Sequence, residues 1–184
     1  DKAGNVKYTA VYHLGNLGPK AAGAVPELIP LLDSSDLRSH WDTADMGGWI
    51  SLRPDVAKAL GQIGLASMAA LPKLERLLRD EDWRLRNAAA FAHCCISGER
   101  TPGLDILLEE LEHGHEWSAQ KVAEFLGQLK YKHLAEPALE GLKKALKHPE
   151  LLVRAEAAES IAAIAPADWI DLLRPLAKDP DGIV

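Results

Sequence analysis

The 184-residue sequence has two cysteines, two methionines and two phenylalanines, and aromatic residues make up 5% of it. Two cysteines exclude a disulfide-built scaffold, and Cys94 and Cys95 are neighbours, which cannot bridge within a helix. No apolar run approaches the ~20 residues that a membrane-crossing helix needs. Positive charge is in deficit: 21 Lys and Arg against 27 Asp and Glu leave a net charge of −6. That disfavours general nucleic-acid binding, which needs a basic face to displace counterions. Walker loops, zinc-ligand spacings, nucleophile elbows and dinucleotide fingerprints are all missing. So is a charged-then-apolar signal segment after Asp1.

What remains is the composition of a folded chain, 47% hydrophobic and 26% charged. The length fits one domain or one stretch of a repeat array. Apolar spacing is helical nearly throughout: Leu104, Leu107, Leu108 and Leu111 share a face, as do Leu74, Leu77 and Leu78. Sustained alternation is absent, and Ala and Leu, the best helix formers, outnumber Val and Ile. Thr101-Pro102, Pro149-Glu150 and Pro166-Ala167-Asp168 read as helix starts. Gly18 and Gly64 read as left-handed residues closing helices. The pattern predicts about ten helices of ~10–15 residues each.

The chain also repeats itself. A first phrase sets an anchor position, usually basic, ahead of apolar residues and then a small residue. It runs from Val6-Lys7 to Gly15, Leu52-Arg53 to Gly61, Leu85-Arg86 to Cys94, Ser118-Ala119 to Gly127 and Val153-Arg154 to Ala162. The anchors at 7, 53, 86, 119 and 154 are separated by 46, 33, 33 and 35 residues. A second phrase follows each: Leu28/Leu31/Leu32, Leu74/Leu77/Leu78, Leu104/Leu107/Leu108, Leu139/Leu142 and Trp169/Leu172/Leu173. Two phrases mean two helices per unit, and such units bury their apolar faces only by stacking. The small residues Gly15, Gly61, Cys94, Gly127 and Ala162 occupy one equivalent site, where they are expected to let the paired helix approach. Leu14, Leu60, His93, Leu126 and Ile161 form a core column beside it. The repeats are placed at about 5–33, 52–81, 82–114, 115–148 and 149–179, with an insertion at 34–51, in a single domain over 1–184. One more step from Arg154 would put a sixth anchor just past Val184, so the chain reads as a piece of a longer protein.

These residues resemble the HEAT repeat family, in the short bacterial form also called phycobilisome-lyase-type HEAT-like repeats. The clearest stretch is Asp82-Trp83-Arg84-Leu85-Arg86-Asn87-Ala88-Ala89-Ala90. Leu14-Gly15-Asn16-Leu17-Gly18 and Leu60-Gly61-Gln62-Ile63-Gly64 match the end of the first helix, and Ala24-Val25-Pro26 and Ala70-Leu71-Pro72 the opening of the second. The resemblance implies an all-α fold, a right-handed α-solenoid of about five two-helix repeats whose second helices line a concave face. On function the resemblance is nearly silent, because the family hosts scaffolds, accessory domains and a few enzymes; the expected function is a non-catalytic protein-interaction or scaffold module, without cofactor or metal, in a larger bacterial protein. It leaves two alternatives: a lyase or chaperone acting on a tetrapyrrole-bearing protein, and a DNA-lesion-binding protein, which the net charge disfavours. Deoxyhypusine hydroxylases, HEAT-like enzymes, carry iron-binding His-Glu pairs in several repeats; here His115-Glu116 stands alone and in a turn, so that reading is rejected. Asp82 before Arg86 and Glu150 before Arg154 resemble the family's charge ladder, which Ala119 and Trp49 interrupt.

Three regions carry candidate contacts. The insertion holds Trp41, Met46 and Trp49, residue types common at interfaces; they read either as a binding loop or as a plug for the gap the insertion makes. Residues 101–120 contain no Lys or Arg but carry Asp105, Glu109, Glu110, Glu112 and Glu116. Glu109 and His113 have metal-ligand spacing without a complete ligand set, so an acidic patch for a basic partner, or solvated surface, is the stronger reading. Lys143, Lys144 and Lys147, and Lys73, Arg76 and Arg79, place basic stripes on second helices. Alternating sign suits protein recognition better than a phosphate backbone. Cys94 reads as a buried filler, Cys95 as more exposed, and His93 as a buried histidine held by a neighbour's carbonyl; no nucleophile has a base beside it. The expected contact residues are therefore Trp41, Met46, Trp49, Arg76, Glu109, Lys143 and Lys147. The expected partner is a protein, not nucleic acid and not a membrane.

Overall fold

The computed structural model describes residues 2–34, 38–39, 50–98, 102–129, 132–164 and 173–174. The fold is all-α. Among the described residues the named helices are α1 (Lys2–Leu17), α2 (Val25–Leu31), α3 (Arg53–Ile63), α4 (Leu71–Leu77), α5 (Trp83–Ser97), α6 (Pro102–His113), α7 (Glu116–Gly127), α8 (Lys132–Ala145) and α9 (Leu151–Ile164). Two strands of two residues, β1 (Arg38–Ser39) and β2 (Ile50–Ser51), pair antiparallel and close the base of the insertion.

The local punctuation follows backbone chemistry. Gly18 and Gly64 take φ of 57° and 80°, the left-handed conformation that glycine adopts without a Cβ penalty. Gly98, at 67°, follows α5 in the same way, a position the sequence reading did not single out. Pro102 opens α6, while α9 starts at Leu151, later than Pro149, because the Glu150 carbonyl accepts the Arg154 N–H at 3.2 Å. Thr101 and the Pro166 start lie outside the described residues. Helices α2 and α4 are shorter than expected, seven residues each. A 3₁₀ turn leads into each, Gly18–Ala24 and Gly64–Ala70, and Pro26 and Pro72 then stand in the first turn, where a missing N–H costs no helical bond.

The chain forms two compact units, Asp1–Ser97 and Gly98–Val184. In the first, α3 packs against both α1 and α5; in the second, α7 packs against α9 and α6 against α8. First helices thus meet first helices. The small-residue site explains how. A Cβ on Gly61 would lie 2.7 Å from the Cα of Ala92 on α5, and one on Gly15 3.1 Å from the Cα of Ala59 on α3. In the second unit a Cβ on Gly127 would lie 2.7 Å from the Cβ of Ser160 on α9. The expectation that these residues admit the paired second helix is therefore corrected: they admit the first helix of the following repeat. The Ser160 hydroxyl uses the closeness, donating to the Ala123 carbonyl on α7 at 2.8 Å. Gly127→Ala is expected to destabilise the chain by about 1 kcal/mol, overlap outweighing alanine's better helix propensity, read as a lower urea midpoint.

The neighbouring core column is buried at Leu60, Leu126 and Ile161, each 0% exposed. His93 joins it, but its partner is a carboxylate rather than the expected carbonyl: Nε2 lies 3.6 Å from Glu75 of α4, and Nδ1 has no hydrogen bond. Cys94 is buried and Cys95 half-buried, and neither forms a disulfide.

The anchor arginines also differ from the expected ladder. Their guanidinium groups donate to backbone carbonyls just past the preceding second helix. Arg53 Nε donates to the Leu32 carbonyl at 2.6 Å, Arg86 Nη1 to Asp80 at 2.9 Å, and Arg154 Nη1 to His148 and Pro149 at 2.9 Å each. A guanidinium there satisfies carbonyls left without helical donors and meets the negative helix end. Asp82, the expected partner of Arg86, accepts instead from the Arg84 N–H and Nε. Arg53, whose acid was read as missing at Trp49, finds Asp80 at 3.7 Å. At Ala119 no arginine exists, and the Ser118 hydroxyl donates to Glu110 to tie α7 to α6.

On α9, burial together with the charges of Glu124 and Glu159 raises the Glu156 carboxyl above 4.5. A raised carboxylate costs stability while ionised, and the cost disappears as pH falls through the folded-state value. Glu156→Gln is expected to raise the thermal midpoint at pH 7, with the gain gone below about pH 4.5.

Candidate functional site

The second unit contains a groove of about 530 Å³ between α6 and α8, within the ~300–1,000 Å³ span of binding sites. Its floor follows from how the two helices are sequenced. On α6, Leu104, Leu107 and Leu111 are buried in the unit's core, which leaves Leu108, one position round the helix, half-buried at the groove edge. On α8, Leu134, Ala138 and Leu142 are 0% exposed. The adjacent stripe, Pro137, Gly141 and Ala145, then faces the groove at four-residue intervals. From Pro137 to Ala145 the stripe runs about 12 Å along the helix. Gly141 lets the walls close in: a Cβ there would sit 2.7 Å from Leu108 Cδ2.

The rim is charged with both signs. Glu112 comes from α6; Glu140 and Lys144 come from α8; Lys147 and His148 follow its end. Lys144 Nζ stands 3.9 Å from Glu112 Oε2, an exposed pair linking the helices weakly. Lys143 Nζ pairs with Glu140 at 2.6 Å along α8. Lys147 has no carboxylate partner among the described residues.

The expected contact residues distribute unevenly over this arrangement. Lys147 lines the groove, and Lys143 holds one of its rim acids. Glu109 is exposed on α6 and is not part of the lining. Arg76 belongs to the first unit, exposed in the last turn of α4. Nearby, Lys73 donates to Asp33, and this hydrogen bond, with the charges of Lys73, Arg76 and Arg53, holds the Asp33 carboxyl below its ordinary value. Trp41, Met46 and Trp49 lie outside the described residues. The groove residues missed from the sequence include Leu108, Gly141, Ala145 and Lys144 with Glu112 opposite it. The one signal available was the Pro137-x₃-Gly141-x₃-Ala145 stripe beside the α8 core face.

The other candidates take structural roles. His115 caps α7, its Nδ1 accepting from the Ser118 N–H at 3.4 Å. Glu110 accepts from Ser118. Among the described residues no three His, Cys, Asp or Glu side chains converge as a metal-ligand group. Among them, too, no helix is long and apolar enough to cross a membrane.

Paired helices stacked first on first and second on second define a helical-repeat protein. The comparison with family models agrees: HEAT repeats match residues 1–93 and 104–184. The chain belongs to the HEAT repeat family. No curated protein matches it significantly. HEAT repeats generally mediate protein–protein interaction or scaffolding, and family members are typically non-catalytic.

Proposed function

We propose that the chain is a non-catalytic protein-interaction or scaffold segment that recognises its partner through the second helices α6 and α8. The observation that carries this reading is the groove between them, with its apolar floor and its mixed-charge rim. Apolar contact supplies affinity, while a patterned rim sets register and rejects wrong partners. The division into five repeats over 1–184 belongs to the same reading, supported by the recurrence of one small-residue contact at Gly15, Gly61 and Gly127. The insertion is the second candidate surface: the β1–β2 pair joins Arg38–Ser39 to Ile50–Ser51 on either side of Trp41, Met46 and Trp49 in the sequence.

Affinity capture from the source lysate tests the proposal, comparing the parent chain with Lys144→Glu/Lys147→Glu and with Trp41→Ala/Trp49→Ala. A partner retained by the parent and lost by the lysine variant is the expected result. A partner lost only by the tryptophan variant would move recognition to the insertion. A partner kept by both variants, or none captured, would overturn the groove as the recognition surface.

A further inference from the structure

We infer that the α6/α8 groove takes a peptide segment of another protein that seats an apolar side chain on the floor and places a carboxylate at the Lys144/Lys147 end. This rests on the proposed function and names the chemistry of its partner. The floor residues Leu108, Leu111, Pro137, Gly141 and Ala145 carry no polar side chain. Glycine inside a helix costs about 1 kcal/mol relative to alanine. At Gly141 it leaves room for Leu108, which an added Cβ would push out of place.

The charge at the open end follows from pairing. Glu140 is engaged by Lys143, and Glu112 stands opposite Lys144. Lys147 alone of these lysines has no carboxylate partner among the described residues. The end of a helix normally carries partial negative charge, which would repel an incoming carboxylate. Here that charge is countered: the buried guanidinium of Arg154 binds the carbonyls of His148 and Pro149, both groove residues. Lys147 therefore leaves a positive charge at this end that no carboxylate among the described residues neutralises. A peptide fits the shape, because the stripe extends about 12 Å along α8, room for three or four extended residues.

The experiment pans random displayed heptapeptides against the full 184-residue chain and measures the enriched ones as fluorescent synthetic peptides. The expected peptides pair an aliphatic or aromatic residue with Asp or Glu. Their affinity is expected to fall about tenfold for Lys144→Glu/Lys147→Glu, and less for Lys144→Gln/Lys147→Gln, with unchanged melting of the protein. It should also weaken with added salt. Enriched peptides that are basic or uncharged, or that bind the variants equally well, would overturn this inference and leave the protein-interaction reading to the capture experiment. Failure to enrich any peptide, while the capture experiment yields a groove-dependent partner, overturns the inference alone. Sedimentation of the parent as a dimer that the lysine variant abolishes would assign the groove to a second copy of the chain, also against it.

Discussion

Gly61→Leu is expected to lower stability by about 3–4 kcal/mol, at the upper end of overpacking effects. The reason is the closeness of α3 and α5. A Cβ at position 61 meets the backbone of Ala92, at 2.7 Å from Cα, before it meets the side chain at 3.1 Å. Backbone cannot rotate away as a side-chain end can, so the helices must separate. Their separation loosens the packing around Leu60, Ile63, Leu85, Ala88 and Phe91, which are at most 1% exposed. Gly61→Ala gains helix propensity and loses contact geometry, for a net loss near 1 kcal/mol. Ala92→Gly in that background is expected to restore little, because the nearest atom is Cα. Urea titration of the variants checks this; a restored midpoint in the double variant would show that only side chains are in conflict.

Arg154→Met is expected to cost about 2 kcal/mol, within the range for hydrogen bonds to a charged group, here made to two partly buried carbonyls. Methionine keeps much of the arginine's buried length, so lost volume contributes little. What disappears is one guanidinium nitrogen donating to both His148 and Pro149. Arg154→Lys should recover part of the loss, since a point ammonium cannot reproduce the planar fork. Thermal unfolding of the two variants measures the difference. Equal midpoints for Met and the parent would mean that these carbonyls are satisfied without the arginine. The same change removes the positive charge beside His148 and Pro149, so it should also weaken any anionic ligand held at Lys147.

These two residues show what was legible in the sequence. Gly61 stood out because a small residue recurs eight positions after each anchor, and spacing survives in a string of letters. Its neighbour did not, because whether helix n meets its own partner or the next repeat is decided by packing. The arginine at 53, 86 and 154 was equally visible, while its acceptors were not. Every residue carries a carbonyl, so no letter marks the one that a side chain will reach. The nearest acid therefore attracted the assignment, although Asp82 holds Arg84 and Asp80 serves Arg53.

The groove was legible in one wall at a time. Lys143, Lys144 and Lys147 announced a basic face on and just past α8, and the run from Asp105 to Glu112 an acidic α6. That these faces meet at Lys144 and Glu112, over a floor set by Gly141 and Leu108, depends on the register between two helices. The exposed Glu109 and Arg76 attracted attention through charge alone, which most surface residues share.

The most direct measurement is hydrogen exchange across the chain, free and saturated with the partner protein recovered by capture. Added protection in the segments that build the groove, around Leu108–Glu112 and Pro137–His148, is the result this account expects. Protection confined to residues 34–51, or to the first unit, with α6 and α8 unchanged, would contradict it.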